Sequence, residues 1–191
     1  MLGRNRREER REERQDDRGG PRGGGPGGGE NRYQMVQKMV SIGDDFWIEN
    51  GRGEKVYKVD CKALRVRSTL IFEDRAGREF CKIQEKMLRV RDTMDIEDAG
   101  GRTVASVKKA MITPLRERYV LNIEGGPDID IQGNLVDHEY RFEQGGRRVA
   151  EVSKKWFRLR DSYGVEIDPG QNDILILAAT VAIDMISHPA R

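Results

Sequence analysis

Arginines recur in pairs on alternate positions at three places in this chain: Arg65 and Arg67, Arg89 and Arg91, Arg158 and Arg160. A guanidinium is permanently charged and presents a planar fork of donors, which suits it to phosphate and carboxylate oxygens. With Lys154 and Trp156 beside the third pair, the set reads as a basic, partly aromatic patch fit for an anionic headgroup, provided the three segments lie together. The plainer reading makes these arginines cross-strand partners of the equally repeated Glu49, Glu73, Glu97 and Glu143. Exposed ion pairs are common and individually weak, so the plainer reading is the default.

Four acids, Asp161, Glu166, Asp168 and Asp173, bracket Pro169-Gly170 and offer hard oxygen ligands to calcium. Calcium loops usually set their acids at alternating positions around a glycine, and this spacing is looser, so a solvated turn leading into a helix start fits better. Asp128 and Asp130 flank Ile129 as the outer face of a strand would. His138 and His188 each stand alone in sequence and read as ordinary residues. Cys61 and Cys81 lack CxxC spacing and histidine neighbours, and no apolar leader follows Met1, so reduced thiols in a cytoplasmic protein are expected. A disulfide between them is possible but not needed. There is no phosphate-binding glycine loop, no nucleophile elbow and no His/Cys metal spacing, so neither an enzyme nor a cofactor or metal is expected.

The elements that must position these side chains show themselves through a repeat. Ile48 to Val59 aligns with Phe72 to Ile83 and with Ile96 to Val107, each 24 residues on, and Phe142 to Val152 is a fourth copy one residue shorter in its turn. Each copy reads as a strand, a glycine-containing turn and an alternating strand, such as Val56 and Lys58 on one face against Tyr57 and Val59 on the other. The similarity continues through Lys62–Thr69, Lys86–Thr93 and Lys155–Ser162, read as strands with their apolar residues inward and the paired arginines outward. Between Ala110 and Gly133 the pattern is least regular, because Pro114 and Pro127 interrupt strand-like pieces Arg118–Glu124 and Asp128–Gln132. The sum is a β-meander of hairpins, none able to bury its apolar face alone.

After Pro169-Gly170 the pattern changes. Asn172 or Asp173 is a suitable N-cap, Ile174 to Ile186 is apolar at almost every position, and Asp184 is the sole charge. A helix apolar all round must be enclosed all round, and only strands are present to enclose it. The spacing therefore predicts a barrel with this helix along its axis. The run falls short of the roughly 20 residues a membrane-spanning helix needs, so the chain is expected to be soluble or peripheral to a membrane. Asp184 should sit at the barrel mouth, or meet an arginine or a backbone N–H inside, in a structural role.

Residues 1–32 are expected to form a disordered tail and 33–191 the barrel. Arg4 to Arg18 is almost wholly charged or amide and Gly19 to Gly29 almost wholly glycine, leaving too little apolar surface to offset chain entropy. About 160 residues remain, enough for one core. A net charge of only +2 among 36% charged residues excludes a chain that is basic throughout, though local patches remain open. Arg18-Gly19-Gly20 and Arg22-Gly23-Gly24 have the composition of nucleic-acid-binding segments, against the plainer reading of a flexible leader.

Three features together resemble the LURP-one-related family over roughly Tyr33 to His188: hairpins with an acid-x-x-Gly-Arg turn, the segment Lys155 to Gly164, and a terminal apolar helix with an embedded Asp184. That family is grouped with phospholipid scramblases and the Tubby C-terminal domain. The resemblance therefore implies a mainly β fold, a Tubby-like closed antiparallel barrel of about twelve strands around a central C-terminal helix. Its members generally lack an assigned activity, whereas Tubby domains bind phosphoinositides and scramblases are linked to calcium and lipid movement. Tyr163-Gly164-Val165, Asp168 and Val181 to Asp184 match a scramblase-like ending. The chain lacks a long terminal helix flanked by basic anchors and a cysteine-rich palmitoylation segment, and both departures argue against lipid scrambling. The expectation is a non-enzymatic barrel that takes an anionic lipid headgroup or similar ligand as an adaptor or sensor. The alternative is a partner-binding scaffold whose tail contacts nucleic acid or protein.

Overall fold

Short alternating stretches punctuated by glycine turns favour antiparallel hairpins, and apolar faces on successive hairpins favour closing them on one another. A computed structural model of the chain describes residues 31–36, 45–63, 68–85, 92–113, 116–134, 137–156 and 162–187. Its strands are β1 (Arg32–Val36), β2 (Phe46–Asn50), β3 (Lys55–Ala63), β4 (Ser68–Asp74), β5 (Glu79–Glu85) and β6 (Thr93–Asp98). They continue as β7 (Thr103–Thr113), β8 (Arg116–Ile123), β9 (Ile129–Asn134), β10 (Glu139–Gln144), β11 (Arg147–Ser153) and β12 (Ser162–Ile167), followed by helix α1 (Asp173–Ser187). Each strand pairs antiparallel with the next, and β1 pairs with both β2 and β12, so the sheet is a closed barrel. Closure leaves no strand edge open to another chain.

The repeat seen in the sequence is a repeat of turn and bulge. Asn50, Asp74 and Asp98 each end a strand, and the side chain of each accepts the backbone N–H of the residue four further on: Glu54 (3.1 Å), Arg78 (2.9 Å) and Arg102 (3.0 Å). Gly53, Gly77 and Gly101 take left-handed φ of 74°, 78° and 80° inside these loops, a conformation that costs a residue bearing a Cβ. Just past each turn the register slips by one, between Ile48 and Glu49, Phe72 and Glu73, and Ile96 and Glu97. This corrects the strict alternation read from sequence: Val56 is the extra residue of a bulge, not a partner of Lys58 on the outer face. The equivalents are Phe80, Val104 and Val149. A bulge turns two successive side chains toward the same side, so each of these four hairpins sends an additional apolar group inward near its turn.

Because hairpin turns alternate ends, the barrel has two unlike rims. The turn rim carries the tight loops after β2, β4, β6, β8 and β10. The opposite rim carries the connections after β3, β5, β7, β9 and β11. Helix α1 enters at the turn rim, where the Tyr33 hydroxyl donates to Asp173 (2.5 Å). It ends toward the opposite rim, where Ser187 meets Tyr119 of β8 (3.1 Å). Asn172 is the N-cap, its side-chain oxygen accepting the Leu175 N–H (3.1 Å). Every residue from Ile176 to Asp184 is buried. The helix packs on β5, β6 and β7 and also on β12, which stands across the ring from β6, so it crosses the barrel interior as its apolar circumference requires.

The stretch around Pro114 and Pro127 is more regular than its sequence suggests. β7 pairs with β8 along nearly its whole length, and β8 with β9 from Glu117 to Leu121. Gly133 lies opposite Tyr140 at φ 148°, and a Cβ there would fall 2.4 Å from the Glu139 carbonyl oxygen and 2.6 Å from the Tyr140 Cα. Only glycine lets β9 and β10 approach this closely at the opposite rim.

Candidate functional site

The paired arginines Arg65, Arg67, Arg89, Arg91, Arg158 and Arg160 lie outside the described residues, as do Asp161 and His188. The strand ends that flank them are described. Ala63 and Ser68 face each other at the ends of β3 and β4, and Glu85 and Met94 are partners at the ends of β5 and β6. Ser153 and Gly164 are partners at the ends of β11 and β12. All of these ends stand at the opposite rim, on the arc running from β11 through β12 and β1 to β6.

Lys154, Lys155 and Trp156 form a single 3-10 turn, which corrects the reading of Lys155 and Trp156 as strand residues. The cause is local capping. The Ser153 hydroxyl accepts the Lys155 N–H (3.2 Å) and donates to Glu139 (2.9 Å), while the Glu139 carboxylate also accepts the Lys154 N–H (3.2 Å). These bonds compete successfully with the sheet ladder. The turn packs on β12, and the Trp156 ring receives the Arg32 guanidinium at 5.1 Å.

Two of the repeated glutamates have partners among the described residues. Glu73 lies against Lys58 (3.6 Å), and Glu97 accepts a hydrogen bond from Gln84 (3.1 Å). Their place beside the tight turns decides this, since the near cross-strand neighbours there are lysine and glutamine. The described acids weighed as calcium ligands are engaged by other side chains, and Arg148 lies against both Glu166 and Asp168. Glu166 binds Arg32, Asp168 accepts from Arg148 (3.0 Å), and Asp173 accepts from Tyr33. Among the described residues no group of three His, Cys, Asp or Glu side chains is placed to hold a metal ion. Asp130 pairs with Arg118 (2.5 Å) on the outer surface, and Asp128 accepts from Asn122 (2.8 Å). Cys61 and Cys81 are not joined in a disulfide, and burial pushes the Cys81 thiol up to about 12, so it stays protonated.

A polar cluster that the sequence concealed lies inside the barrel. Asp184 is buried, and among the described residues its hydrogen-bond partners are a tyrosine and a histidine. Its two oxygens meet the Tyr163 hydroxyl (2.7 Å) and the His138 Nε2 (3.1 Å), and the imidazole stacks on the Tyr163 ring with centroids 4.3 Å apart. His138, read as an ordinary residue because it stands alone in the chain, precedes β10 at φ 52° and is fully buried. Tyr140 lies close by. Burial first, and then the charge of Asp184, hold the Tyr140 and Tyr163 phenols far above the usual tyrosine value, so both remain protonated and Tyr163 is a donor at any physiological pH. Carboxylate, imidazole and phenol could in principle relay a proton. His138 and Tyr163 are 0% exposed and Asp184 3%, and their contacts tie the helix to β12 and to the entry of β10.

A family model for LURP-one-related proteins matches residues 31–184. The chain belongs to the LURP-one-related family. Its closed twelve-stranded barrel with a C-terminal helix against the sheet is the Tubby-like architecture of that family. An Arabidopsis thaliana protein of known crystal structure superposes with a TM-score of 0.63 over 84% of this chain and 94% of that one, at 15% sequence identity. At that identity the likeness speaks for the fold alone. A comparison with curated protein sequences finds no match. No helix among the described residues is long and apolar enough to cross a membrane.

Proposed function

We propose that this LURP-one-related barrel is a binding protein, not a catalyst, and that it takes an anionic lipid headgroup or a similar ligand at the opposite rim as an adaptor or sensor. One observation supports the reading above others. The strand ends that bracket all three arginine pairs stand at the same rim of the barrel. Arg65, Arg67, Arg89, Arg91, Arg158 and Arg160 fall in sequence between those strand ends, with Lys154 and Trp156 just before the third pair. Guanidinium groups at such a rim would suit phosphate oxygens, with the attraction strongest at low salt.

Flotation of the full chain with vesicles of neutral phosphatidylcholine, and with vesicles also carrying phosphatidylserine or a phosphoinositide, tests this. Binding to the anionic vesicles only is expected, weakening as salt rises and lost in the quadruple variant Arg65→Gln, Arg67→Gln, Arg89→Gln, Arg91→Gln. Equal absence of binding to both kinds of vesicle at low salt would overturn the reading.

A further inference from the structure

The turn rim has a second surface of different character. Where the bulges add apolar groups near the turns, Val56, Tyr57, Phe80 and Val104 are half-buried, as are Ile174 and Leu175 at the start of α1. They belong together in space. Phe80 stands edge-on to Tyr57 at 5.8 Å, Tyr57 lies 6.0 Å from Tyr33, and Tyr33 holds Asp173 at the helix start.

Beside this apolar floor the tips after β4 and β6 project arginines into solvent, while the neighbouring tip after β8 exposes Glu124 and Asp128. In the Asp74/Arg78 pair the acid is 21% exposed and the arginine 74%. In Asp98/Arg102 the figures are 26% and 86%. The aspartates are less exposed because they cap the turn amides, whereas the guanidinium groups stand in solvent. The Arg78 guanidinium also lies over the Phe80 ring at 5.2 Å, which holds it at the edge of the apolar floor.

We propose that the turn rim is a docking surface for an acidic segment of another protein that places an apolar side chain against this floor. Charge complementarity sets the sign, since Arg78 and Arg102 face outward with donors to spare for carboxylates. The relief of the surface favours a protein segment over a membrane. The apolar residues follow the tips in sequence and sit beneath them, so a flat bilayer meets arginine and glycine first, while a single Leu or Phe side chain can descend between the tips. This surface is distinct from the one proposed for anionic headgroups, which lies at the other end of the barrel.

A random-peptide display library panned against the full chain is the test. Selected peptides should combine Asp or Glu with a neighbouring Leu, Ile or Phe. Their affinity should fall about tenfold or more in the double variant Arg78→Gln, Arg102→Gln, and in the separate variant Leu175→Ser. Both sites are partly exposed, and thermal melting establishes that each variant is folded. The variant Lys155→Gln at the opposite rim should bind the peptides unchanged. Basic or uncharged peptides, affinity insensitive to the arginine pair, or no selected binder would each overturn the proposal. So would phosphatidylserine vesicles binding in a manner that depends on Arg78 and Arg102 while no peptide does.

Discussion

Asp184 places a carboxylate where its isolation would cost several kcal/mol, and two donors from distant parts of the chain make that position tolerable. The two kinds of loss at this cluster should differ. Tyr163→Phe removes one hydrogen bond to a charged group and should cost about 2 kcal/mol. Asp184→Ala leaves His138 and Tyr163 facing a void and should cost about 3–5 kcal/mol. Urea unfolding of both variants at pH 7 checks the order, and a phenylalanine variant costlier than the alanine one would show that the carboxylate is not the centre of the cluster. None of this was legible in the sequence beyond the oddity of Asp184 itself. His138 is 46 residues away from it in the chain, and no local pattern links them.

At the scale of the hairpin, the turn aspartates tie stability to pH. Backbone N–H donation, from Arg78 to Asp74 and from Arg102 to Asp98, is the first cause holding both carboxyls below their ordinary value of 3.8. A carboxyl whose folded value is depressed adds stability above its unfolded value and loses it as pH falls through the folded one. The double variant Asp74→Asn, Asp98→Asn should therefore be less stable than the parent at pH 7, and the gap should narrow between about pH 5 and pH 3. Urea midpoints across that range measure it, and a gap that stays constant would show that the turn carboxylates do not titrate with folding. The hairpins themselves were plain in the sequence, because a 24-residue repeat with glycine at each turn is a local signal. The bulge was not. Val56-Tyr57 and Phe80-Cys81 look like ordinary apolar neighbours until the partner strand shows which residue is extra.

For the whole molecule, α1 is both the last element of the chain and the filling of its barrel. Each large aliphatic side chain it buries, Ile176, Leu177, Val181 and Ile183 among them, contributes roughly 1.5–3 kcal/mol. A barrel of this size cannot close on its own inward side chains without that filling. A chain ending at Gly170 should keep β-type far-ultraviolet dichroism at most, lose its near-ultraviolet signal and cooperative melting, and bind a hydrophobic dye. A truncated chain that melts cooperatively near the parent temperature would mean that the sheet core is self-sufficient.

The sequence by itself determined the kinds of element, their order and the need to enclose the helix, because alternation, turn glycines and an all-apolar helix are properties of neighbouring residues. The family resemblance drawn from those residues was sound. Only the tertiary structure decided which ends of which strands share a rim, which acids are less exposed than the arginines they pair with, and that His138 and Tyr163 meet Asp184. Those outcomes depend on register and closure, which bring together residues that the chain keeps far apart.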